Sequence, residues 1–369
     1  MRAQALCSIL QARGKAMRTM NKAAVATAGT TASPGGSSAT ARRVPTAGGI
    51  DPLKLYKSAE GYRTIMEWYD SVLDEITVPY ESLFVNTRFG RTHLIAAGPA
   101  DAEPLFLLPG VAGCAALWRR QLPTLGQHFR VYAVDIPGQP GRSDPNPPSF
   151  LNDDYVAWLK DVLDDLGIGK AHFGGVSVGA WIAMRMGIEA PERTLKVVML
   201  GPTGISRSRL PVGTWLKRAA LSRKNPDAMQ AEVTARKVSA AVTRPPGAAF
   251  GTFDRQLARA MSLCTKHYRV DRSLGIYDEG SQRLRLLDGL RVLGKFFLAE
   301  PRAKLRRFRV PGLVVFGQYE VLYDPPAVCR KAEALMGKVR TEVVADAGHA
   351  AIYDRPEIVD PLVIEFLKS

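Results

Sequence analysis

The sequence predicts an α/β fold with a mostly parallel eight-stranded sheet and helices on both of its faces. Between residues 52 and 204, short apolar and β-branched runs alternate with amphipathic segments of helical length. Such alternation is typical of parallel sheets, because a crossover between parallel strands needs a connection long enough for a helix. The alternation resumes at residue 312, and 369 residues with 46% hydrophobic content are enough for one large core.

Each element has a local signal. Eight apolar runs of strand length predict strands at 82–88, 92–97, 104–108, 130–135, 171–176, 195–200, 312–317 and 340–345. Helices are predicted near residues 55–74, 114–126, 153–167, 178–190, 326–336 and 356–367. In the segment 153–167, for example, the apolar residues form a stripe of helical period: Val156, Leu159, Val162, Leu163 and Leu166.

Residues 1–50 form a low-complexity extension with seven Lys or Arg and no acidic residue. The extension lacks the apolar periodicity of a folded segment, so we expect it to be disordered. Its arginine-rich, acid-free composition is also typical of an organelle transit peptide. A start at Met17 or Met20 is a further alternative. We expect a cytoplasmic location, or an organelle if the extension is a transit peptide.

The most informative motif is Gly-x-Ser-x-Gly, at Gly175, Ser177 and Gly179. It lies between the predicted strand 171–176 and the predicted helix 178–190, which is the context of a nucleophile elbow. A serine on so sharp a turn has a strained backbone, and glycines on both sides avoid collisions with neighbouring backbone. A chance match on a glycine-rich turn is the alternative. The strand-turn-helix context favours Ser177 as a nucleophile.

A serine hydroxyl needs a base, which we assign to His349. His349 follows the predicted strand 340–345, where the chain order serine, acid, histidine places the base. His267 could line a pocket, but a surface or core position is favoured. The remaining histidines are interpreted as structural: His93, His128 and His172.

The orienting acid is assigned to Glu320, the first carboxylate after the predicted strand 312–317. Asp324 is the reserve, although its position before two prolines suits the start of a helix equally well. The other place where this acid occurs, the end of the preceding strand, has no carboxylate at residues 200–203. That absence favours Glu320.

An oxyanion hole is expected where the predicted strand 104–108 breaks at Pro109 and Gly110. Glycine lets the backbone approach a substrate closely. The N–H groups of Val111 and Val178 would then stabilise a developing oxyanion. An ordinary glycine-rich turn is the alternative, and the combination with Ser177 favours the functional interpretation.

These motifs resemble the α/β-hydrolase superfamily, and more narrowly its bacterial carboxylesterase-like branch. The resemblance extends from about residue 55 to residue 366 and rests on the segments 62–73, 78–81, 89–93, 108–111, 135–143, 175–179, 317–325 and 348–349. It implies the fold and the reaction class of a serine hydrolase, but no particular substrate. Two departures stand out. Pro109 replaces a usual histidine, which should change only the loop shape, and Glu320 replaces the more common aspartate.

Residues 205–309 interrupt the α/β alternation with apolar residues at helical spacing, and we interpret them as a basic helical cap over the Ser177 pocket. This cap insertion contains 23 basic and 8 acidic residues, a net charge of +15, whereas the chain outside it and outside residues 1–50 has a net charge of −7. One interpretation is contact with an anionic substrate, an acidic carrier protein or a membrane surface. A solvated arginine-rich face is the favoured alternative.

Together the motifs predict cleavage of a small-molecule ester through an acyl-enzyme on Ser177. An ester that bears an anionic group is one candidate substrate. The same residues would serve a thioesterase, lactonase or amidase. A cofactor-free lyase or cyclase and a non-catalytic binding protein are further alternatives. No cofactor or metal is expected, and no nucleic-acid motif or membrane-length apolar run is present. Four cysteines without disulfide or metal spacing indicate a reduced compartment or indifference to the redox state. Oligomeric state is not predicted.

Overall fold

The computed structural model describes residues 52–209, 254–269, 277–278, 283–284 and 299–369. One eight-stranded sheet dominates these ranges. Its strands are β1 (Glu81–Thr87), β2 (Gly90–Ala97), β3 (Pro104–Leu108), β4 (Arg130–Val134), β5 (Ala171–Val176), β6 (Thr194–Leu200), β9 (Gly312–Gly317) and β10 (Val339–Val344). A separate pair, β7 (Tyr277–Asp278) and β8 (Arg283–Leu284), belongs to the cap insertion.

The sheet order is β1-β2-β4-β3-β5-β6-β9-β10. The pairs β1–β2 and β2–β4 are antiparallel, and the five remaining neighbouring pairs are parallel. This arrangement confirms the predicted mostly parallel, eight-stranded sheet. Parallel strands end at the same edge, so the loops after β3, β5, β6 and β9 all begin on one side of the molecule.

Helices connect the strands. They are α1 (Ala59–Leu73), α2 (Gln121–Leu125), α3 (Asp154–Asp165), α4 (Val178–Glu189), α5 (Arg255–His267), α6 (Arg302–Leu305), α7 (Pro325–Leu335), α8 (Ala351–Asp354) and α9 (Pro356–Lys368). The predicted helix 114–126 is instead a 3₁₀ helix, Ala115–Arg120, followed by α2. Pro123 explains the difference, because its ring lacks an N–H and would clash with the Arg119 carbonyl in a continuous α-helix.

The core lies on both faces of the sheet. Alternate residues of β3 show the division: Phe106 and Leu108 pack in one buried cluster, and Leu105 and Leu107 pack in another. Successive side chains of a strand point to opposite faces, so each cluster belongs to one face. The first cluster contains residues of α3, α4 and α7, and the second contains residues of α1 and α9. Helices therefore cover both faces, as predicted.

The described part of the cap insertion is only partly helical. Its helix α5 packs beside α1 so closely that a Cβ on Gly61 would lie 2.8 Å from the Cβ of His267. Leu284 is one of the leucines at helical spacing in residues 205–309, but it lies in β8, which pairs with β7. The helical interpretation is wrong there, and Gly280 between the two strands is a residue that weakens helices. Residues 210–253 and most of 270–298 lie outside the described ranges, as does the predicted extension 1–50.

None of the helices within the described ranges combines the length and the apolar character that a membrane crossing requires.

Candidate active site

Ser177 lies on a strained turn between β5 and α4. Its φ is 56° and its ψ is −112°, a conformation that non-glycine residues rarely adopt. A Cβ on Gly175 would lie 2.3 Å from the carbonyl carbon of Gly179, and a Cβ on Gly179 would lie 2.2 Å from the Leu108 carbonyl oxygen. A side chain at either position would therefore collide with neighbouring backbone, which is the steric reason for the two glycines of the motif.

Val178 directly follows Ser177, and Val111 directly follows Gly110 in the loop after β3. Val178 is the first residue of α4, so its N–H is one of those without an acceptor inside the helix. The loop after β3 passes close to the serine, since a Cβ on Gly110 would lie 3.5 Å from the Ser177 Cβ. The N–H of Val111 in that loop has no acceptor among the described residues. These positions are compatible with the two N–H groups that the sequence assigns to the oxyanion hole.

Bonds to Ala112 hold this loop. Ala112 has a φ of 60°, and its N–H donates to the buried Gln139 Oε1 at 3.0 Å. Its carbonyl accepts from the Sγ of Cys264, on the cap helix α5, at 3.5 Å. Gln139 is a site residue that the sequence analysis missed. It lies inside the segment 135–143, which carries part of the family resemblance, but no sequence signal connects its amide to residue 112.

His349 and Glu320 form a buried pair. The Nδ1 of His349 lies 2.7 Å from Glu320 Oε2, and Glu320 Oε1 accepts from the Leu322 N–H at 2.7 Å. The imidazole therefore donates from Nδ1 to the carboxylate, and Nε2 is left as the proton acceptor. Nε2 is buried and has no hydrogen-bond partner among the described residues.

The environment of His349 determines its basicity. Burial alone would lower the pKa of the imidazole, because the charged form loses its hydration. The negative charge of Glu320 and the hydrogen bond to it outweigh burial, with a smaller effect of Asp354, so that the pKa of His349 lies above its ordinary value. A carboxylate that stabilises the imidazolium in this way is what a general base of an acyl-transfer site needs.

Ser177 and His349 both lie against the turn that follows β6. The Ser177 N–H donates to the Leu200 carbonyl at 2.8 Å. The next residue, Gly201, faces the histidine, since a Cβ there would lie 3.1 Å from the ring atoms Cε1 and Nδ1. One turn thus has the serine backbone on one side and the imidazole on the other. This is the strand end at which the sequence has no carboxylate, and a glycine occupies the space instead.

The acid loop and the histidine loop are bonded to each other. The Tyr319 N–H donates to the Ala347 carbonyl, and the Gln318 N–H donates to the Val344 carbonyl, both at 2.8 Å. The reserve acid Asp324 lies elsewhere: it precedes α7 and pairs with Arg209 at 2.5 Å. The structure therefore places Glu320, and not Asp324, against the imidazole.

The other histidines lie in the positions expected of structural residues. His93 is buried against Asp135 and Ser82, each at 2.8 Å. His172 is buried beside Glu103 at 3.2 Å, and burial lowers its pKa. His128 is exposed, and His267 packs against α1. Within the described ranges, no group of three or more His, Cys, Asp or Glu side chains could hold a metal ion.

Comparisons with known proteins agree with this geometry. Residues 103–356 match a family model described as the alpha/beta hydrolase fold. Carboxylesterase YbfK of Bacillus subtilis is 30% identical over 321 residues, which are 86% of this chain and 98% of YbfK. The uncharacterized carboxylesterase nap of the same bacterium is 30% identical over 303 residues, 82% of this chain and 91% of that protein.

A solved structure shows the same likeness in three dimensions. The crystal structure of naproxen esterase (carboxylesterase NP) from Bacillus subtilis has a TM-score of 0.65 and 27% sequence identity, and the match covers 84% of this chain and 99% of that one. Fold, sequence and the residues at the sheet edge agree over most of the chain. The chain therefore belongs to the α/β-hydrolase family, and within it to the ester-cleaving hydrolases of carboxylesterase type.

Proposed function

We propose that the chain hydrolyses small-molecule carboxylic esters in two steps through an acyl-enzyme on Ser177, with His349 as base and Glu320 as the orienting acid. One observation supports this assignment above all others. The imidazole of His349 donates from Nδ1 to Glu320, while its buried Nε2 has no partner among the described residues and the ring lies against the turn bonded to Ser177.

In the first step, Ser177 Oγ attacks the ester carbonyl carbon and its proton passes to His349 Nε2. The carbonyl oxygen becomes an oxyanion that accepts hydrogen bonds from Val111 and Val178, and each such donor typically contributes about 3 kcal/mol to the barrier reduction. The tetrahedral intermediate collapses as the bond to the alcohol oxygen breaks. His349 gives its proton to that oxygen, and the alcohol leaves.

In the second step, water attacks the acyl carbon and His349 takes one of its protons. The second tetrahedral intermediate uses the same two N–H groups, and the bond to Ser177 Oγ then breaks. His349 returns the proton to Ser177, and the carboxylic acid leaves. Glu320 stays ionised throughout and stabilises the imidazolium in both steps.

The second part of the proposal concerns the charge of the substrate. The net charge of +15 in the cap insertion supports a preference for esters that bear a negative group. Matched ester pairs of equal length, with and without a terminal carboxylate, test this preference at low and high salt. A higher kcat/KM for the carboxylate member that falls with salt is expected, whereas equal values would mean a solvated basic face.

The reaction class is tested with p-nitrophenyl esters, thioesters and lactones of matched acyl length. We expect esters to give the highest kcat/KM, and the Ser177→Ala variant to lose both turnover and labelling by a fluorophosphonate probe. Ser71→Ala, an exposed serine in α1, is the control and should keep both. Thioester or lactone preference would reassign the substrate, and full turnover in Ser177→Ala would instead indicate a lyase or cyclase.

A cytoplasmic location is also part of the proposal. It is supported by Cys114, Cys264 and Cys329, which are free and buried in the described part of the chain. Mass spectrometry of the N-terminus of the protein purified from its own cells tests it, because removal of residues 1–50 would indicate organelle import.

A further inference from the structure

Asp354 connects the histidine loop to the cap insertion. It is the last residue of α8, five positions after His349. Its Oδ2 accepts from the Gly348 N–H at 2.8 Å, and its Oδ1 accepts from the Asp254 N–H at 3.2 Å. One carboxylate therefore holds the backbone directly before His349 and the backbone directly before the cap helix α5.

The Asp254 end of this connection is firmly anchored. The Asp254 side chain accepts from the Leu257 N–H at 2.8 Å and so caps the N-terminus of α5. Its other oxygen accepts from Arg119 at 2.9 Å, and both members of this ion pair are buried. Because Asp254 is buried and its carboxylate accepts hydrogen bonds from two partners, its position is well fixed. Asp354 is therefore hydrogen-bonded to a residue whose own position is fixed.

The loop that follows β10 and carries His349, the histidine loop, is held by hydrogen bonds to two other parts of the chain. Asp346, near its start, has a φ of 53°, so the chain leaves β10 in an unusual conformation. The bond from Tyr319 to Ala347 holds the loop on the side of the acid. On the other side the Gly348 N–H is held by Asp354. The peptide group that joins Ala347 to Gly348, directly before His349, is thus bonded to the acid loop at its carbonyl and to Asp354 at its N–H.

We propose that Asp354 is a positioning residue for His349, which fixes the histidine loop against the N-terminus of cap helix α5 and so keeps Nε2 directed toward Ser177. This inference rests on the proposed function. The role is separate from that of Glu320, because Asp354 acts on the backbone of the loop while Glu320 bonds the ring. No feature of the sequence analysis assigned a role to Asp354.

The charge of Asp354 adds a second, measurable effect. The charged groups that act on the imidazole are Glu320 and Asp354, and both raise the pKa of His349 against the opposing effect of burial. Removal of the Asp354 charge should therefore lower that pKa. Since the neutral imidazole is the base, the acid limb of the pH profile of kcat/KM should move to lower pH.

The test uses Asp354→Asn in the full-length chain. The amide removes the charge and leaves a single acceptor oxygen for two N–H groups. We expect kcat to fall about 10- to 100-fold with little change in KM, because displacement of a catalytic group by about 1 Å has effects of this size. Rates are divided by the concentration of active sites, titrated with a fluorophosphonate, so that unfolded protein does not count.

Two further variants make the test specific. Asp354→Glu keeps the charge, so its acid limb should stay near that of the unmodified protein even if its kcat falls. Asp346→Asn is the matched control: this carboxylate is exposed, accepts from Tyr319 and pairs with Arg355. Asparagine tolerates the positive φ of this position. Its kcat and acid limb should match those of the unmodified protein.

Two results would overturn the positioning role. One is an Asp354→Asn variant whose kcat and acid limb equal those of the unmodified protein. The other is a variant whose melting temperature falls while its rate per titrated site stays unchanged, which would make Asp354 a stability residue only. Failure of the proposed function gives a different pattern, since Ser177→Ala would then retain turnover whatever the result at residue 354.

Discussion

Gly201 and His349 are in such close contact that a side chain on residue 201 has no room. A Cβ there would lie 2.7 Å from the His349 carbonyl oxygen and 3.1 Å from two of its ring atoms. Gly201 also has a φ of 55°. The turn after β6 therefore depends on glycine both for its backbone conformation and for the position of the imidazole.

Gly201→Ala should reduce activity much more than stability. The positive φ alone costs about 1 kcal/mol for alanine. The new methyl group must also displace the imidazole from its present position, so we expect kcat to fall about 100-fold. Steady-state kinetics of ester cleavage and a thermal melt measure the two effects.

Gly167→Ala is a matched control for this prediction. Gly167 has a φ of 68°, and a Cβ there meets no atom within 4 Å. The Gly167→Ala variant should therefore lose stability because of the positive φ but keep its kcat. Equal kcat values for the two variants would mean that contact with His349 does not affect catalysis.

Glu320→Gln should shift the pH profile and reduce the rate. Glutamine removes the charge that raises the pKa of His349, so burial should then hold that pKa lower. The acid limb of kcat/KM should move to lower pH, and kcat should fall on the order of 10³-fold because the imidazolium loses its partner. Initial rates from acid to neutral pH give both quantities.

Asp324→Asn tests the competing carboxylate. Asp324 is paired with Arg209 and both side chains are largely exposed, so the stability change should be under about 1 kcal/mol. Its kcat and acid limb should stay unchanged. A large loss of activity in this variant, with little loss in Glu320→Gln, would reverse the assignment of the acid.

Gln139→Leu should weaken stabilisation of the oxyanion. The Ala112 N–H would lose its acceptor, and the loop that carries the Val111 N–H would lose its fixed shape. We expect kcat to fall about tenfold, with little change in KM, since the oxyanion forms only after the ground state. Gln127→Leu, at an exposed glutamine in the turn before β4, is the control with unchanged kcat.

Asp360 should make the protein more stable at mildly acidic pH. It is buried in α9, where burial raises its pKa from 3.8 to about 7 although Gln121 and Thr124 donate to it. A raised folded-state pKa favours folding below the unfolded pKa, and this contribution is lost as pH rises from about 3.8 to about 7. The cost above that range is at most about 4 kcal/mol.

Asp360→Asn should therefore raise the free energy of unfolding at about pH 8, and the gain should shrink toward about pH 4. The amide keeps an oxygen that can accept from Gln121. Denaturant unfolding at several pH values measures the difference. A gain of equal size at every pH would show that packing, and not titration of the carboxyl, is responsible.

The strands were the most predictable elements. Predicted and observed bounds coincide for β3, β5 and β9, because each is a mainly apolar run that ends at a proline or glycine or at the elbow. The 3₁₀ helix before α2 was not predicted, because the segment 114–126 has a helical pattern that only Pro123 interrupts. The β7–β8 pair was missed because leucines at helical spacing are equally compatible with a short strand.

The roles of Gln139 and Asp354 could not be predicted from the sequence. Gln139 contacts Ala112, and Asp354 contacts Gly348 and Asp254, all through backbone N–H groups. A bond to a backbone N–H leaves no trace in the identity of the donor residue. Only the folded chain shows which N–H group a buried acceptor reaches.

The sequence by itself determined the order of strands and helices and the place of Ser177, because these follow from local hydrophobic pattern and from the steric needs of one tight turn. Only the tertiary structure decided that Glu320, and not the nearby Asp324, contacts His349. Both carboxylates satisfy the same sequence rule. Which of them reaches the imidazole depends on how the loops after β9 and β10 bond to each other, and those bonds join residues far apart in the chain.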